Sequence, residues 1–233
     1  MPKPIVEVKK ATKVYRQGAI EVNALRGLDL TIQQGEFTAI YGPSGSGKST
    51  LLNLIGALDS PTSGEVLLEG QDLGQMSRWQ RSAMRRDRIG FVFQAYNLIP
   101  VLTAFENAEA VAALKGGDPA ERRAKVMKLL DEVGLQGLAD RRPFELSGGQ
   151  QQRVAIVRAI ASDPAIVLAD EPTANVDSET SEKLLQLMEE LNEKRGVTFL
   201  FSTHDPAVMD RAHRLVKLVD GRVAEDTARE AVA

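Results

Sequence analysis

Phe37-Thr38-Ala39-Ile40-Tyr41-Gly42-Pro43-Ser44-Gly45-Ser46-Gly47-Lys48-Ser49-Thr50 is an apolar run that enters a glycine-rich turn. It continues into Leu51–Leu58, where the apolar residues take helical spacing. Strand, glycine loop and helix in that order predict an α/β fold with an anion site at the turn. Glycines can adopt positive φ, so successive backbone N–H groups can converge on a phosphate, and the helix start adds its dipole. Lys48 supplies a point charge for β- and γ-phosphates, and Ser49 a hydroxyl for Mg²⁺. A glycine turn with a chance lysine would lack the strand before it and the helix after it. Tyr41 is bulky for the position directly before Gly42, and no functional account of it follows from the sequence.

Two further segments carry chemistry. Ile166-Val167-Leu168-Ala169-Asp170-Glu171 reads as a buried strand ending in two carboxylates, at the edge where parallel α/β sheets bind ligands. Asp170 is placed to orient Mg²⁺ through its water shell, and Glu171 to polarise an attacking water as general base. Two acids at a strand end are otherwise a solvated terminus; the loop at 42–50 favours the catalytic reading. Phe144-Glu145-Leu146-Ser147-Gly148-Gly149-Gln150-Gln151-Gln152-Arg153 opens a helix with Ser147 in an N-cap-like position. A helix start with two glycines is a second anion site. Two γ-phosphate sites in one chain have a use only if they belong to different nucleotides.

The remaining pattern places these segments. Val6–Val8 and Leu28–Ile32 are β-type, as are Glu65–Leu68 and Ile89–Phe93. From Thr103 to Ala161 the spacing is helical, with breaks at Gly116-Gly117-Asp118-Pro119 and Gly134, which predicts a helical lobe at about 95–161. Strands at Ile166–Ala169 and Phe199–Ser202 flank a helix from about Ser178 to Lys194, which implies a parallel crossover. Leu215–Val219, Asp220-Gly221 and Arg222–Ala224 read as a hairpin through an Asp-Gly turn. No internal repeat is visible, so residues 1–233 are expected to form one unit.

Composition narrows the partners. The 233 residues are 43% hydrophobic, carry a formal charge of −3 and include no cysteine. Disulfides and thiolate metal sites are excluded, and the acidic balance with no evident basic face argues against nucleic acid. Met1-Pro2-Lys3-Pro4-Ile5 lacks a signal-peptide apolar stretch, and no window approaches the roughly 18 apolar residues a bilayer requires. The expected place is therefore the cytoplasm, with membrane contact only through a partner.

With Leu146-Ser147-Gly148-Gly149-Gln150 lying between the phosphate loop and Asp170-Glu171, the chain resembles the ATP-binding subunit of an ATP-binding-cassette (ABC) transporter from about Ile5 to Arg222. The resemblance implies a P-loop NTPase cassette with a parallel-sheet core, an antiparallel β subdomain and a helical subdomain. It implies ATP and Mg²⁺, two copies paired head to tail, and a separate membrane permease that holds the pair on the cytoplasmic face of the inner membrane. Ser147, Gly148, Gly149 and Gln150 of one copy would then touch the ATP on Gly42–Thr50 of the other. Tyr15 matches the aromatic that stacks on adenine, and Asp177 the aspartate of the loop crossing the dimer interface. Gln94 matches the glutamine that reaches Mg²⁺, and His204 the histidine at the γ-phosphate. The implied catalytic set is Glu171, His204, Lys48 and Gln94, and the metal set Ser49, Gln94 and Asp170.

The subgroup nearest in pattern usually has Gly and Leu where this chain has Ala174 and Val176. If the glycine position needs positive φ, Ala174 strains the loop. Ile89-Gly90-Phe91-Val92-Phe93-Gln94-Ala95-Tyr96-Asn97-Leu98-Ile99-Pro100 resembles the lipoprotein-releasing, macrolide-efflux, peptide-sensing and cell-division ATPases. Chain length after the last hairpin suggests a bare motor without a regulatory domain. Tyr96, Leu98, Ile99 and Phe105 would line the groove for a permease helix, and the arginines at 78, 81, 85, 86 and 88 would form a solvated helix face. A soluble ABC ATPase of the DNA-repair or translation type would need long coiled coils or two cassettes in one chain, and neither is seen. A kinase or GTPase with the same loop would leave Leu146–Gln150 unexplained.

Overall fold

In the computed structural model residues 4–18 and 20–228 are described. Long strands β1 (Pro4–Gln17) and β2 (Ile20–Gln33) pair antiparallel, and β4 (Ser63–Leu68) and β5 (Gln71–Asp72) complete a four-stranded sheet of order β2-β1-β4-β5. The second sheet is built from β3 (Phe37–Tyr41), β6 (Ile89–Phe93), β7 (Ile166–Asp170), β8 (Phe199–Ser202), β9 (Arg214–Val219) and β10 (Arg222–Ala228). Its order is β10-β9-β3-β8-β7-β6, parallel throughout except for the β9–β10 hairpin. The helices are α1 (Lys48–Ile55), α2 (Arg78–Arg88), α3 (Ala104–Lys115), α4 (Pro119–Glu132), α5 (Gly148–Ile160), α6 (Ser178–Arg195) and α7 (Pro206–Arg211).

The uninterrupted apolar strands are explained by burial on both faces. Successive side chains point opposite ways. Phe37, Ala39, Val167, Ala169, Phe199 and Phe201 enter a core shared with α3, α4, α5 and α6. Ile40, Ile166, Leu168, Leu200, Val216 and Leu218 enter another, shared with α1 and the antiparallel sheet. The Phe37 ring lies 4.7 Å from that of Phe201 and 5.6 Å from that of Phe199, centroid to centroid. The three-layer order, with antiparallel sheet and α1 on one side of the parallel sheet and the helices on the other, leaves the carboxyl ends of β3, β6, β7 and β8 along one edge.

An eight-residue helix such as α1 is marginal in isolation. Leu51, Leu54 and Ile55 are fully buried, and each such side chain contributes about 1.5–3 kcal/mol, which dominates propensity and fixes the helix that follows the glycine turn. The helix stops at Gly56, short of the expected Leu58, because Leu58 and Asp59 turn back to donate to the Asn53 carbonyl.

The helical block from Thr103 to Ala161 is also shorter than its pattern. Thr103 and Glu106 form a capping box on α3, Asp118 and Pro119 start α4, and Gly134 at φ 74° leads into non-α-helical chain up to Ser147, with one 3-10 turn at Pro143–Glu145. The arginines of α2 form a solvated face only in part: Arg78 and Arg86 are exposed, whereas the other three reach back into the protein. Arg81 donates to the Ser60 hydroxyl, Arg85 to the Ala57 carbonyl at 2.7 Å, and Arg88 pairs through two bonds with Glu69. Phe105 is 8% exposed in the helical core under the Arg123 guanidinium, so it is packing and not groove lining, whereas Ile99 is exposed. Tyr41 also packs against that core at its margin. The Asp220-Gly221 turn forms as expected, with φ 47° and 74°, and β10 runs on to Ala228. Residues 1–3 and 229–233, which carry the N-terminal and tail expectations, lie outside the described residues.

Candidate functional site

Four parallel strand ends meet at a cavity of about 800 Å³, lined by Tyr15, Gly42–Thr50, Gln94, Asp170, Glu171, Ser202 and His204, with Val22, Asn23 and Ala24 of β2. That volume is in the range of small-molecule sites. The floor is the glycine turn. Gly47 caps α1 at φ 104° with no side-chain hydrogen bond, so the first helical N–H groups face the cavity without an internal cap. Close packing dictates the glycines here. A Cβ on Gly42 would lie 2.1 Å from the Leu218 carbonyl oxygen, and one on Gly47 2.6 Å from that of Ala24. Gly221 of the β9–β10 turn donates to the Ser46 carbonyl at 3.0 Å, so the loop is held from behind. Lys48 Nζ arches over it to the carbonyls of Gly42 at 2.8 Å and Pro43 at 3.1 Å.

The acids stand opposite. Glu171 Oε1 is 2.7 Å from His204 Nδ1, and its Oε2 accepts from the Thr203 hydroxyl at 3.1 Å and the His204 N–H at 3.4 Å. Its backbone takes φ 46° and donates to the Ser202 carbonyl, so β7 ends by turning the carboxylate towards β8. Ala174 does not have positive φ, which removes the expected strain from that residue, and Val176 packs against the helical core. The residue in the left-handed region is Glu171 itself.

Burial raises the Asp170 carboxyl above the ordinary carboxylate value, and the Glu171 charge adds to this; the Ser202 hydroxyl and Lys48 oppose it. The folded chain therefore holds that proton more tightly than the unfolded one. Stability declines as pH rises from the ordinary carboxylate value through the raised one, and the penalty persists at neutral pH. Asp170→Asn should raise the Tm of the nucleotide-free protein at neutral pH, and the gain should shrink as pH is lowered through that window. Scanning fluorimetry measures both, and a lowered Tm at neutral pH would contradict the burial argument.

Other residues singled out in the sequence stand outside this cavity. Ser147 caps α5 by accepting from the Gln150 N–H, while Gln150 Oε1 accepts from the Ser147 N–H at 2.9 Å. Asp177 caps α6, accepting from the Thr180 N–H at 2.9 Å and hydroxyl at 2.7 Å. Thr180 explains Gly149, since a Cβ there would lie 2.4 Å from the Thr180 methyl. Gly148 lies against Tyr96, whose hydroxyl donates to the Asn175 carbonyl at 2.9 Å, and Asn175 in turn donates to the Gln94 carbonyl at 2.9 Å. The start of α5, the 172–177 loop and the 94–97 loop are therefore joined outside the cavity. Thr203, Asn23 and Ala24 escaped the sequence reading. A threonine preceding His204 was the only available hint.

The arrangement fits a nucleoside triphosphate with a divalent cation. The buried Ser46 hydroxyl, 2% exposed on the loop side of the cavity, has no protein hydrogen-bond partner. Among the described residues no group of three or more His, Cys, Asp or Glu side chains could hold a metal ion by itself.

Comparison with known proteins agrees. Residues 25–174 match the ABC transporter family model. The chain is 48% identical over 224 residues to the lipoprotein-releasing system ATP-binding protein LolD of Anaeromyxobacter dehalogenans, covering 96% of this chain and 94% of that protein. It is 44% identical over 229 residues to the macrolide export ATP-binding/permease protein MacB of Marinobacter nauticus, covering 98% of this chain and 35% of that protein. It therefore spans about a third of the length of the macrolide export proteins it matches. The solved dimeric post-hydrolysis cassette MJ0796 of Methanocaldococcus jannaschii, bound to ADP and Pi, superposes with a TM-score of 0.88 at 44% identity, covering 97% of this chain and all of that one. A glycine turn backed by carbonyls, a carboxylate pair at the neighbouring strand end and a second capped helix start outside the cavity, in a chain so related, mean that it belongs to the ABC transporter ATP-binding family.

Proposed function

We propose that this chain hydrolyses ATP as one half of a head-to-tail pair and thereby drives a membrane permease, in lipoprotein release or in export of macrolides or peptides. On this reading residues 1–233 act as one cassette with its helical lobe at about 95–161, held at the cytoplasmic face through the permease. No helix among the described residues is long and apolar enough to cross a membrane. The observation that carries the reading is the Glu171 carboxylate, fixed by Thr203 and His204 at the rim of the cavity that Lys48 and the glycine turn floor.

The residues then divide the work. N–H groups of Gly42–Thr50 and the Lys48 ammonium bind the phosphates, Tyr15 receives the base, and Ser49, Gln94 and Asp170 would hold Mg²⁺, which supplies charge neutralisation on the phosphates. Glu171 accepts the proton of the attacking water, and His204 both orients Glu171 and donates towards the γ-phosphate. Ser147, Gly148, Gly149 and Gln150, with Asp177, serve the nucleotide of the partner. None of these residues lines the chain's own cavity, which supports this.

ATP should therefore join two chains and ADP should not. Light scattering on Glu171→Gln protein, in which bound ATP persists, is expected to report a dimer with ATP and a monomer with ADP. Monomer with both nucleotides would overturn the shared site for the isolated chain.

A further inference from the structure

Tyr15 lies on the outer half of β1, where the β1–β2 hairpin is largely exposed, and nothing in the strand itself holds an aromatic ring at a set place. The ring is nevertheless mounted. Its hydroxyl donates to Asp59 Oδ2 at 3.1 Å. Lys13, two residues earlier and so on the same face of the strand, puts Nζ 5.0 Å over the ring centroid. The same ammonium donates to Asp59 Oδ1 at 2.7 Å and to the Ser60 carbonyl at 2.8 Å. Burial alone would raise the Asp59 carboxyl, but Lys13, the Ser60 N–H and the Tyr15 hydroxyl hold it below the ordinary carboxylate range.

The 59–62 segment is stitched to β1 at further points. Thr62 donates to the Thr12 carbonyl at 2.8 Å, and Val14 donates to the Thr62 hydroxyl at 3.0 Å. Its other end is the phosphate helix, since Asp59 N–H donates to the Asn53 carbonyl of α1 at 3.2 Å. One short segment thus ties the ring on the antiparallel sheet to the helix that opens at Lys48. A cation occupies one face of the ring, and the ring lines the cavity, so a single face is left for a flat ligand.

We propose that Asp59 and Lys13 are positioning residues that convert Tyr15 into a one-sided platform at a fixed distance from the phosphate loop, so that the base and the triphosphate of one nucleotide are engaged together. This rests on the reading of Tyr15 as the base-binding residue. Neither Asp59 nor Lys13 lines the cavity. Stacking by itself needs only a ring, whereas the mount needs the hydroxyl and its acceptor, and this difference makes the idea testable.

Calorimetric titration of the whole chain with Mg-ATP and, separately, with inorganic tripolyphosphate decides it. Tyr15→Phe keeps the ring and loses the tether; Asp59→Ala loses the acceptor; Asp59→Asn keeps a carbonyl acceptor. Tyr15→Phe and Asp59→Ala should each weaken ATP binding by about five- to tenfold, part of what a full base stack contributes. The double variant should lose less than the two single losses combined, because both remove the Tyr15–Asp59 contact. Asp59→Asn should recover most of the loss, and tripolyphosphate affinity should stay unchanged in all of them. If Tyr15→Phe binds ATP as the parent does while Tyr15→Ala is weakened, the mount is wrong and the platform stands. If Tyr15→Ala also binds normally, the platform itself is wrong. An equal loss for tripolyphosphate would show that the segment acts on the phosphate loop and would overturn the proposal too.

Discussion

Glu171→Gln is expected to lower steady-state phosphate release by about 10²–10⁴-fold while leaving ATP affinity near that of the parent. The carboxylate sits at the cavity rim, held by Thr203 and His204, and is not among the N–H donors of the glycine turn that would take the phosphates. An amide of the same shape keeps an oxygen for the Thr203 hydroxyl but cannot take a proton from water. Binding and chemistry should therefore separate in one variant, read by fluorescent-nucleotide titration and by a phosphate-release assay on the same preparation. Turnover at the parent rate would mean that another group is the base.

Lys48→Ala should do the reverse and abolish tight ATP binding. A charge-assisted hydrogen bond contributes about 1.5–3 kcal/mol. Two phosphate groups lose their cation, so a fall of about 100-fold or more in affinity is expected, since each 1.4 kcal/mol is about tenfold. The fold should be nearly untouched, because the hydrogen bonds of Nζ go to carbonyls of its own loop, at Gly42 and Pro43. Unchanged affinity, with an unchanged thermal melt as control, would remove Gly42–Thr50 from the nucleotide site.

These sites were legible to unequal degrees, and the reasons are physical. Gly42–Thr50 and Asp170-Glu171 declare themselves because their flanking strands are apolar on both faces and so stand out as runs. β1 and β2 do not. Their outer halves are exposed and pair through the backbone ladder and the surface ion pair Arg16–Glu21, so only Val6–Val8 and Leu28–Ile32 carried an apolar signal, and the ladder that places Tyr15 beside Val22 was invisible. Thr203, Asn23 and Ala24 act through a hydroxyl or a position set by distant elements, which no spacing encodes. Gly149 reads from the sequence as an anion-site glycine, but its tight contact with Thr180 depends on α5 meeting α6. Ala174 taught the opposite lesson: a residue that departs from a familiar pattern sits at ordinary φ, and the backbone departure falls on the neighbouring Glu171.

The carbonyls of Leu218 and Ala24 behind Gly42 and Gly47, with the Gly221 N–H on Ser46, have a thermodynamic consequence. Fixing the backbone of one residue costs roughly 1–2 kcal/mol of conformational entropy. A phosphate loop ordered only by its ligand would subtract that cost, residue by residue, from the affinity. Here the cost is met when the chain folds, by β2 and the β9–β10 turn, so ligand contacts with the loop can appear as affinity almost undiminished. On the proposed function, preorganisation of this kind would let the nucleotide's binding energy go into bringing two chains together instead of into shaping its own cradle.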